Sequence, residues 1–387
     1  MLHRYICLLL IATLILVAPA RVAAMPAISS EAAVLVDMET GEILGGINAN
    51  KQVYPASTAK ILTALIAVER GNLDDMVTVS SLASRQEGTS LYSKAGEQYL
   101  FEDLLYALLV HSANDAAVAL AEHVAGSVEA FAELMNEKAA ALGAEGSNFV
   151  NPNGLHDKDH YTTAADMAKI FAAALKNPVL QEITTTRVYY IDLPSGERRT
   201  LINGNKMLTE YSGTIGGKTG YTRQAGNCLL TAAQKGSLKL GVTLFKAQGK
   251  AMWSDAQRLL DYGFANWSSH SLAEPGQVIT AVPTRYGSDA LLVSGGELHV
   301  TLPKEEQDPA FHWEINLDKP LKAPLAMGQV VGSATYFIED REIGSVQLQV
   351  AHAVPRLWYT YWELVLLTFF AGGIIRWRNA SKSKRQT

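Results

Sequence analysis

The helix that begins near residue 58 decides how this chain folds and what it can do. It opens with Pro55-Ala56-Ser57-Thr58-Ala59-Lys60, and apolar residues then recur at helical spacing as far as Arg70, where Gly71 ends the pattern. The spacing places Ser57 and Lys60 about one turn apart on one face. A serine needs a neighbouring base to act as a nucleophile, and a lysine serves when burial or nearby positive charge lowers its pKa. Alone, Ser-x-x-Lys also fits an N-cap serine with a surface lysine.

Predicted strands lie on both sides of this helix in the chain. Ala32–Met38 and Glu42–Ile47 form a predicted hairpin, and Cys228–Ala233 and Leu238–Phe245 form late strands. The stretches between them that have helical spacing are Leu104–Val110, Ala116–Val124, Val128–Leu142 and Ala164–Leu175. We therefore expect one α/β (α+β) domain over residues 25–273, with a sheet built from both ends of the segment.

The pattern changes after residue 274. Six short β-prone segments follow, separated by Gly, Pro or Asp. They predict a small all-β domain over residues 274–355 and contain no cluster of chemically reactive side chains.

Two further motifs lie between the early and late strands. Ser112-Ala113-Asn114 offers a hydroxyl for proton relay and an amide for hydrogen bonding, although a helix N-cap would use the same residue types. Lys218-Thr219-Gly220 follows two glycines, and the lysine and threonine suit a substrate carboxylate, although the sequence also fits a turn. Each motif is weak by itself; the three in this order are far more specific.

With these three motifs the chain resembles the low-molecular-mass penicillin-binding proteins of the D-alanyl-D-alanine carboxypeptidase type. The resemblance extends over about residues 30–265 and includes Asn151-Pro152-Asn153-Gly154-Leu155 and Gly217-Lys218-Thr219-Gly220-Tyr221-Thr222. It implies a β-lactamase/transpeptidase-like fold, in which helices flank an antiparallel sheet.

The resemblance also implies roles for individual residues. Ser57 would attack the carbonyl between the two terminal D-alanines of a peptidoglycan stem peptide, and Lys60 would be the base. Ser112 would relay a proton to the leaving group, and Asn114 would hold the substrate amide. The Lys218-Thr219-Gly220-Tyr221 segment would bind the substrate, with Lys218 and Thr219 on its carboxylate, and the N–H groups of Ser57 and Tyr221 would form the oxyanion hole. No cofactor would be needed, and β-lactams would trap Ser57.

Some features depart from this pattern or favour alternatives. Family members often carry an arginine soon after the strand that follows Lys-Thr-Gly; here Arg258 is the first arginine after that strand. A class A β-lactamase would need a deacylating glutamate, and neither Glu182 nor Glu197 has the expected neighbours. A catalytically silent regulator is a third alternative, against which the intact motifs argue. The nearby group of His156, Asp157 and His160 does not complete a metal-ligand set.

The two ends of the chain predict a protein at a membrane. Residues 1–24 have a basic start, a short apolar run and small residues at a cleavage site, which is typical of a signal peptide. Residues 357–375 are mostly apolar with aromatic residues at the start, and five cations follow. This pattern favours a membrane anchor helix over residues 356–376 and a basic cytoplasmic tail over 377–387, with a helix lying on the membrane surface as the alternative. Either would hold the exported body on the outer face of the cytoplasmic membrane.

Charge and cysteine content agree with an exported enzyme. Of the 33 Lys and Arg residues, two lie in residues 1–24 and five in 376–387, which leaves 26 against 38 Asp and Glu in the body. An acidic body does not fit a nucleic-acid binder. Removal of residues 1–24 takes Cys7, so Cys228 is left without a disulfide partner; its apolar neighbours predict a buried structural residue.

Overall fold

The computed structural model describes residues 24–305 and 310–383, which excludes all of the predicted signal peptide except Ala24. The chain divides into two compact units, Met1–Ser269 with Thr301–Glu306, and His270–Val300 with Gln307–Thr387. Through residue 266 the strands are β1 Ala32–Asp37, β2 Ile43–Ile47, β3 Met76–Thr78, β4 Gln98–Leu100, β5 Val188–Asp192, β6 Arg198–Ile202, β7 Thr214–Thr222, β8 Gly226–Lys235 and β9 Leu238–Ala247. The helices of the same segment are α1 Lys60–Arg70, α2 Phe101–Tyr106, α3 Asn114–Ala125, α4 Val128–Ala141, α5 Ala164–Leu175, α6 Pro178–Thr185, α7 Met207–Glu210 and α8 Ala251–Asn266.

The main sheet of the first unit has five strands in the order β2-β1-β9-β8-β7, and every neighbouring pair is antiparallel. The early strands thus join the late ones, with Val34 of β1 opposite Thr243 of β9. All six residues of β1 are buried, as expected for an apolar inner strand that is covered on both faces. The predicted sheet, built from both ends of the domain, is confirmed.

Helices cover both faces of this sheet. The apolar positions of α1 that defined its helical spacing are buried, including Ile61, Leu62, Leu65 and Ile66. Full burial of one such side chain stabilises the fold by about 1.5–3 kcal/mol. Leucines of β9 and α8 form a separate cluster of buried residues. The sheet therefore lies between two apolar layers, and α1 is held firmly at the centre of the larger one.

The second unit is built on β-strands. The strands after residue 266 are β10 Trp267–Ala273, β11 Val278–Val282, β12 Ala290–Ser294, β13 Leu298–Pro303, β14 Phe311–Leu317, β15 Val330–Ile338 and β16 Arg341–Val350; β10 and β13 each lie partly in the first unit. Five of them form an antiparallel sheet in the order β11-β12-β16-β15-β14, around a core that includes Leu292, Ala334 and Leu348. The predicted all-β fold of this segment is confirmed.

The predicted tail helix begins later than the sequence pattern suggested. Residues Trp358–Tyr361 form a single 3₁₀ turn, and helix α9 runs over Trp362–Ser383. In the ranges 24–305 and 310–383, none of the helices combines the length and the apolar character needed to cross a membrane.

Candidate active site

Ser57 and Lys60 face each other at the start of α1. Ser57 lies in a 3₁₀ turn, Ala56–Ala59, and Lys60 is the first residue of the α-helix that continues it. A 3₁₀ turn has three residues per turn, so side chains at i and i+3 lie directly above one another. Accordingly, the Lys60 Nζ is 2.9 Å from the Ser57 Oγ. The predicted pair is in direct contact.

Lys60 is fully buried, which changes its chemistry. Its Nζ lies 2.6 Å from the side-chain oxygen of Asn114 and 2.6 Å from the backbone carbonyl of Asn153. Burial is the main cause that holds the pKa of Lys60 well below its usual range; the positive charge of Lys218 adds to the effect and Asp115 opposes it. A neutral amine has two N–H donors, which the two carbonyl oxygens accept. Its lone pair is then directed at the Ser57 hydroxyl, as a general base requires.

The peptide unit before Ser57 is clamped between two glycines. A Cβ atom on Gly154 would lie 1.9 Å from the Ala56 oxygen, and one on Gly220 would lie 2.9 Å from the Ser57 nitrogen. Ala56 itself has a left-handed φ of 49°, which is costly for a residue with a side chain. The two glycines therefore hold the Ser57 backbone in a conformation that an unconstrained chain would avoid.

The Ser112-Ala113-Asn114 motif joins a π-helical turn, Ala107–His111, to α3. Ser112 is half-buried with a left-handed φ of 67°. Within the described part of the chain its hydroxyl makes no hydrogen bond. Asn114 is buried; its oxygen accepts from Lys60 and its amide nitrogen donates to the carbonyl of Glu87. Both polar ends of Asn114 are thus engaged inside the protein and fix the position of Lys60.

The loop over residues 86–93 is tied to the same motif. The buried Asp115 carboxylate accepts hydrogen bonds from the backbone N–H groups of Leu91 and Ser93 and from the Ser93 hydroxyl. The Asn114 backbone N–H donates to the carbonyl of Thr89 at 2.7 Å. This loop and Lys60 are therefore positioned by consecutive residues of α3.

The Lys218-Thr219-Gly220 motif lies on the edge strand β7, not in a turn. Lys218 is buried, its Nζ donates to the Thr219 carbonyl at 3.0 Å, and burial lowers its pKa to about 7. The Thr219 hydroxyl faces Gly204, where a Cβ would lie 3.1 Å away, and Tyr221 is exposed. Because Gly220 meets the Ser57 backbone, β7 lies directly beside Ser57.

Other residues that the sequence singled out lie outside this arrangement. Cys228 is buried in β8, and burial raises its pKa to about 12. His160 is buried; its Nδ1 accepts from the Val150 N–H, and burial lowers its pKa to about 4.

The acidic and basic residues that the sequence raised also lie elsewhere. Glu182 on α6 is 3.4 Å from the Tyr106 hydroxyl, and Glu197 is exposed between β5 and β6. Arg258 is on α8, 3.9 Å from Asp255.

Sequence reasoning missed two residues that position the site. Asn153 acts through its backbone carbonyl, which no side-chain pattern reveals, and Gly154 acts through having no side chain. Both lie in Asn151-Pro152-Asn153-Gly154-Leu155, a stretch to which the sequence assigned no role. Because glycine adopts positive φ readily, the sequence could have suggested the left-handed φ of 81° that Gly154 has, but not its contact with Ala56.

A buried lysine of lowered pKa that faces a serine hydroxyl is an arrangement of serine enzymes that work through an acyl intermediate. The profile of the D-alanyl-D-alanine carboxypeptidase family matches residues 19–249, and that of the penicillin-binding protein 5 C-terminal domain matches residues 267–356. The chain belongs to the D-alanyl-D-alanine carboxypeptidase family.

Individual relatives agree over most of the chain. It is 31% identical to D-alanyl-D-alanine carboxypeptidase DacF of Bacillus subtilis, over 79% of this chain and 80% of the relative. It is also 31% identical to D-alanyl-D-alanine carboxypeptidase DacA of Haemophilus influenzae, over 89% of this chain and 90% of the relative. The crystal structure of penicillin-binding protein 5 from Haemophilus influenzae superposes with a TM-score of 0.69 at 31% identity, over 86% of this chain and 99% of that one.

Proposed function

We propose that Ser57 is the nucleophile with which this enzyme removes the terminal D-alanine from peptidoglycan stem peptides. The protein is a serine-type D-Ala-D-Ala carboxypeptidase and a penicillin-binding protein. The observation that carries the assignment is the 2.9 Å contact between the Ser57 Oγ and the Nζ of a fully buried Lys60.

Acylation starts with proton transfer from Ser57 to the neutral Lys60. The serine oxygen attacks the carbonyl carbon between the two D-alanines, and the N–H groups of Ser57 and Tyr221 stabilise the oxyanion. Close contact between Gly220 and the Ser57 backbone supports this pairing of donors, because Tyr221 follows Gly220 on β7. Preorganised donors of this kind need no rearrangement as the charge develops.

The leaving D-alanine carries a carboxylate and needs a proton. In the proposed complex Lys218 and Thr219 bind the carboxylate. Ser112 passes the proton that Lys60 took from Ser57 on to the departing nitrogen. Lys218 has a pKa of about 7 without substrate, and a bound carboxylate raises that pKa, so the ion pair forms as the substrate enters. Water then hydrolyses the ester on Ser57 and releases the shortened peptide. A β-lactam acylates the same serine.

Asn114 has contacts inside the protein besides its predicted role as a holder of the substrate amide. Its oxygen and nitrogen are both engaged, with Lys60 and Glu87. We propose that Asn114 orients Lys60 through its oxygen and also holds the substrate amide, because its oxygen and its amide nitrogen each have the capacity for one more hydrogen bond.

The β-lactamase alternative requires a glutamate that activates water near Ser57. Glu182 lies beside Tyr106, and Glu197 is in an exposed turn of a separate two-stranded sheet. These positions favour the carboxypeptidase.

A direct assay tests the assignment. The unmodified enzyme should release D-alanine from a peptide that ends in D-Ala-D-Ala and should be labelled covalently by fluorescent penicillin. Ser57→Ala should do neither, while Ser81→Ala, which removes an exposed hydroxyl of the same domain, should do both. Labelling of folded Ser57→Ala would refute the assignment, and rapid turnover of penicillin by the unmodified enzyme would favour a β-lactamase.

We further propose that the body is exported by removal of residues 1–24 and stays attached to the outer face of the cytoplasmic membrane through its tail. The tail exposes large apolar side chains, namely Trp358, Trp362, Leu366, Phe369, Phe370, Ile374, Ile375 and Trp377. Exposed aromatic and aliphatic groups on a helix favour the membrane interface, so we place α9 on the membrane surface. Deletion of residues 356–387 should give a soluble, active enzyme; if that truncated protein still sediments with membranes, the attachment lies elsewhere.

A further inference from the structure

Three separate segments of the second unit each bring one cation to the same tyrosine ring. Arg285 lies 4.6 Å from the centre of the Tyr286 ring, Lys322 lies 5.4 Å from it and Arg356 lies 4.7 Å from it. We call Arg285, Lys322 and Arg356, together with Tyr286, the basic cluster. The sequence gives no hint of it, because its members are up to 71 positions apart.

Backbone contacts fix these segments relative to one another. The Arg285 N–H donates to the Leu321 carbonyl and the Ala323 N–H donates to the Arg285 carbonyl, both at 2.9 Å. A Cβ on Gly287 would lie 2.7 Å from Val354 and 2.9 Å from Ala323, so a glycine is needed for the segments to approach. The fold therefore holds the backbones that carry these cations close to one another.

The like charges of the basic cluster repel one another, and the electron-rich face of one ring offsets only part of that repulsion. Arg285 and Lys322 are exposed, and neither forms an ion pair within the described part of the chain. A multivalent anionic surface that approaches the cluster would relieve the repulsion.

The basic cluster adjoins the start of the tail. The Leu357 N–H donates to the Tyr286 carbonyl at 2.8 Å, and Arg356 also lies 4.5 Å from the ring centre of Tyr361 in the turn before α9. Trp358 is 82% exposed. Tryptophan and tyrosine side chains concentrate at the headgroup level of a bilayer, and cations beside them meet lipid phosphates.

We propose that the basic cluster binds the anionic phospholipid headgroups of the membrane surface and so fixes where the tail enters the interface. This inference rests on the proposed attachment of the tail. If so, the β-rich unit has a function of its own, which is to bind negatively charged membranes.

Partition of the full-length protein onto vesicles tests the proposal. We expect stronger binding to vesicles of phosphatidylcholine with added phosphatidylglycerol than to pure phosphatidylcholine, with a difference that shrinks as salt is added. Arg285→Gln and Lys322→Gln should each weaken binding to the anionic vesicles about fivefold and leave binding to the neutral ones unchanged.

Arg341→Gln is the matched control, since it removes one exposed charge from the same unit. Arg341 begins β16, and the cluster lies beyond the other end of that strand, about 30 Å away at 3.3 Å per residue. Arg341→Gln should bind anionic vesicles as tightly as the unmodified protein does.

If Arg285→Gln and Lys322→Gln bind anionic vesicles as well as Arg341→Gln does, the basic cluster does not bind headgroups, while the tail proposal stands. If the unmodified protein binds neither kind of vesicle, the tail proposal and this inference both fail.

Discussion

Gly154 touches the Ala56 carbonyl so closely that no side chain fits between them: a Cβ at 154 would lie 1.9 Å from that oxygen. The oxygen belongs to the peptide unit that leads into Ser57. Since Asn153, the residue before Gly154, supplies a carbonyl to Lys60, one short segment positions both Ser57 and Lys60, the proposed nucleophile and base.

Gly154→Ala should therefore impair catalysis beyond any effect on folding. The added methyl group must displace the Ala56–Ser57 peptide, and a shift of about 1 Å at a reacting group costs about 10²-fold in rate. The rate of labelling by fluorescent penicillin measures the effect.

Gly126→Ala is the matched control: its φ of 83° is close to the 81° of Gly154, but a Cβ there meets nothing within 4 Å. It should cost about 1–2 kcal/mol of stability, the usual cost of a side chain in the left-handed conformation, and leave labelling unchanged. Equal labelling by the two variants would contradict the clamp.

Lys60→Arg should slow acylation by about 10²–10⁴-fold, the usual contribution of a positioned base. Arginine keeps its proton at all accessible pH values and cannot accept one from Ser57. The second-order rate constant for penicillin labelling measures the loss, and Lys138→Arg, at a surface ion pair with Glu69, is the control. A Lys60→Arg enzyme that is labelled at the rate of the unmodified protein would exclude Lys60 as the base.

The pH dependence of kcat/KM should be bell-shaped. Activity rises as Lys60 loses its proton, at a pH well below the usual lysine pKa, and falls as Lys218 loses the charge that binds the carboxylate. The free-enzyme pKa of Lys218 is about 7, so the descending limb should begin near that value. Arginine at 218 stays charged, and Lys218→Arg should remove the descending limb even where it lowers the overall rate. If the descending limb persists in Lys218→Arg, it reports the titration of a group other than Lys218.

Lys218 should also make the fold less stable at neutral pH than it would be with an apolar residue. Its folded pKa of about 7 is below its unfolded value, so the unfolded chain binds more protons in the interval between them and stability rises with pH across it. Lys218→Met should consequently unfold at a higher temperature than the unmodified protein at pH 7, and the difference should narrow toward pH 10. Thermal unfolding followed at several pH values measures this; a difference independent of pH would show that Lys218 is not buried as a neutral amine.

Side-chain periodicity was sufficient to predict the elements that carry the core. The spacing of Ile61, Leu62 and Leu65 specified α1, and the apolar run Ala32–Met38 predicted strand β1, because both patterns report burial directly. The three motifs likewise predicted roles for Ser57, Lys60 and Lys218, and the structure places Ser57 and Lys60 in direct contact.

Other parts of the site lay beyond such patterns. Strand β7 contains Gly216, Gly217 and Gly220, which have low strand propensity, and only pairing with β8 makes it extended. The left-handed backbone of Ser112 and the carbonyl of Asn153 depend on contacts between distant segments. The apolar run that begins at Leu357 predicted the tail but not its first turn, since the 3₁₀ residues Trp358–Tyr361 are as apolar and aromatic as the helix that follows.

Cys228 offers a consequence for experiments on this enzyme. It is completely buried, and its raised pKa keeps the thiol protonated at neutral pH. In a chain without residues 1–24 no other cysteine is present. A thiol-reactive dye should then leave the native protein unlabelled and react with it only when β8 becomes accessible. Cys228 is therefore a single-site reporter of unfolding, and it is separate from Ser57, the serine that penicillin is proposed to label.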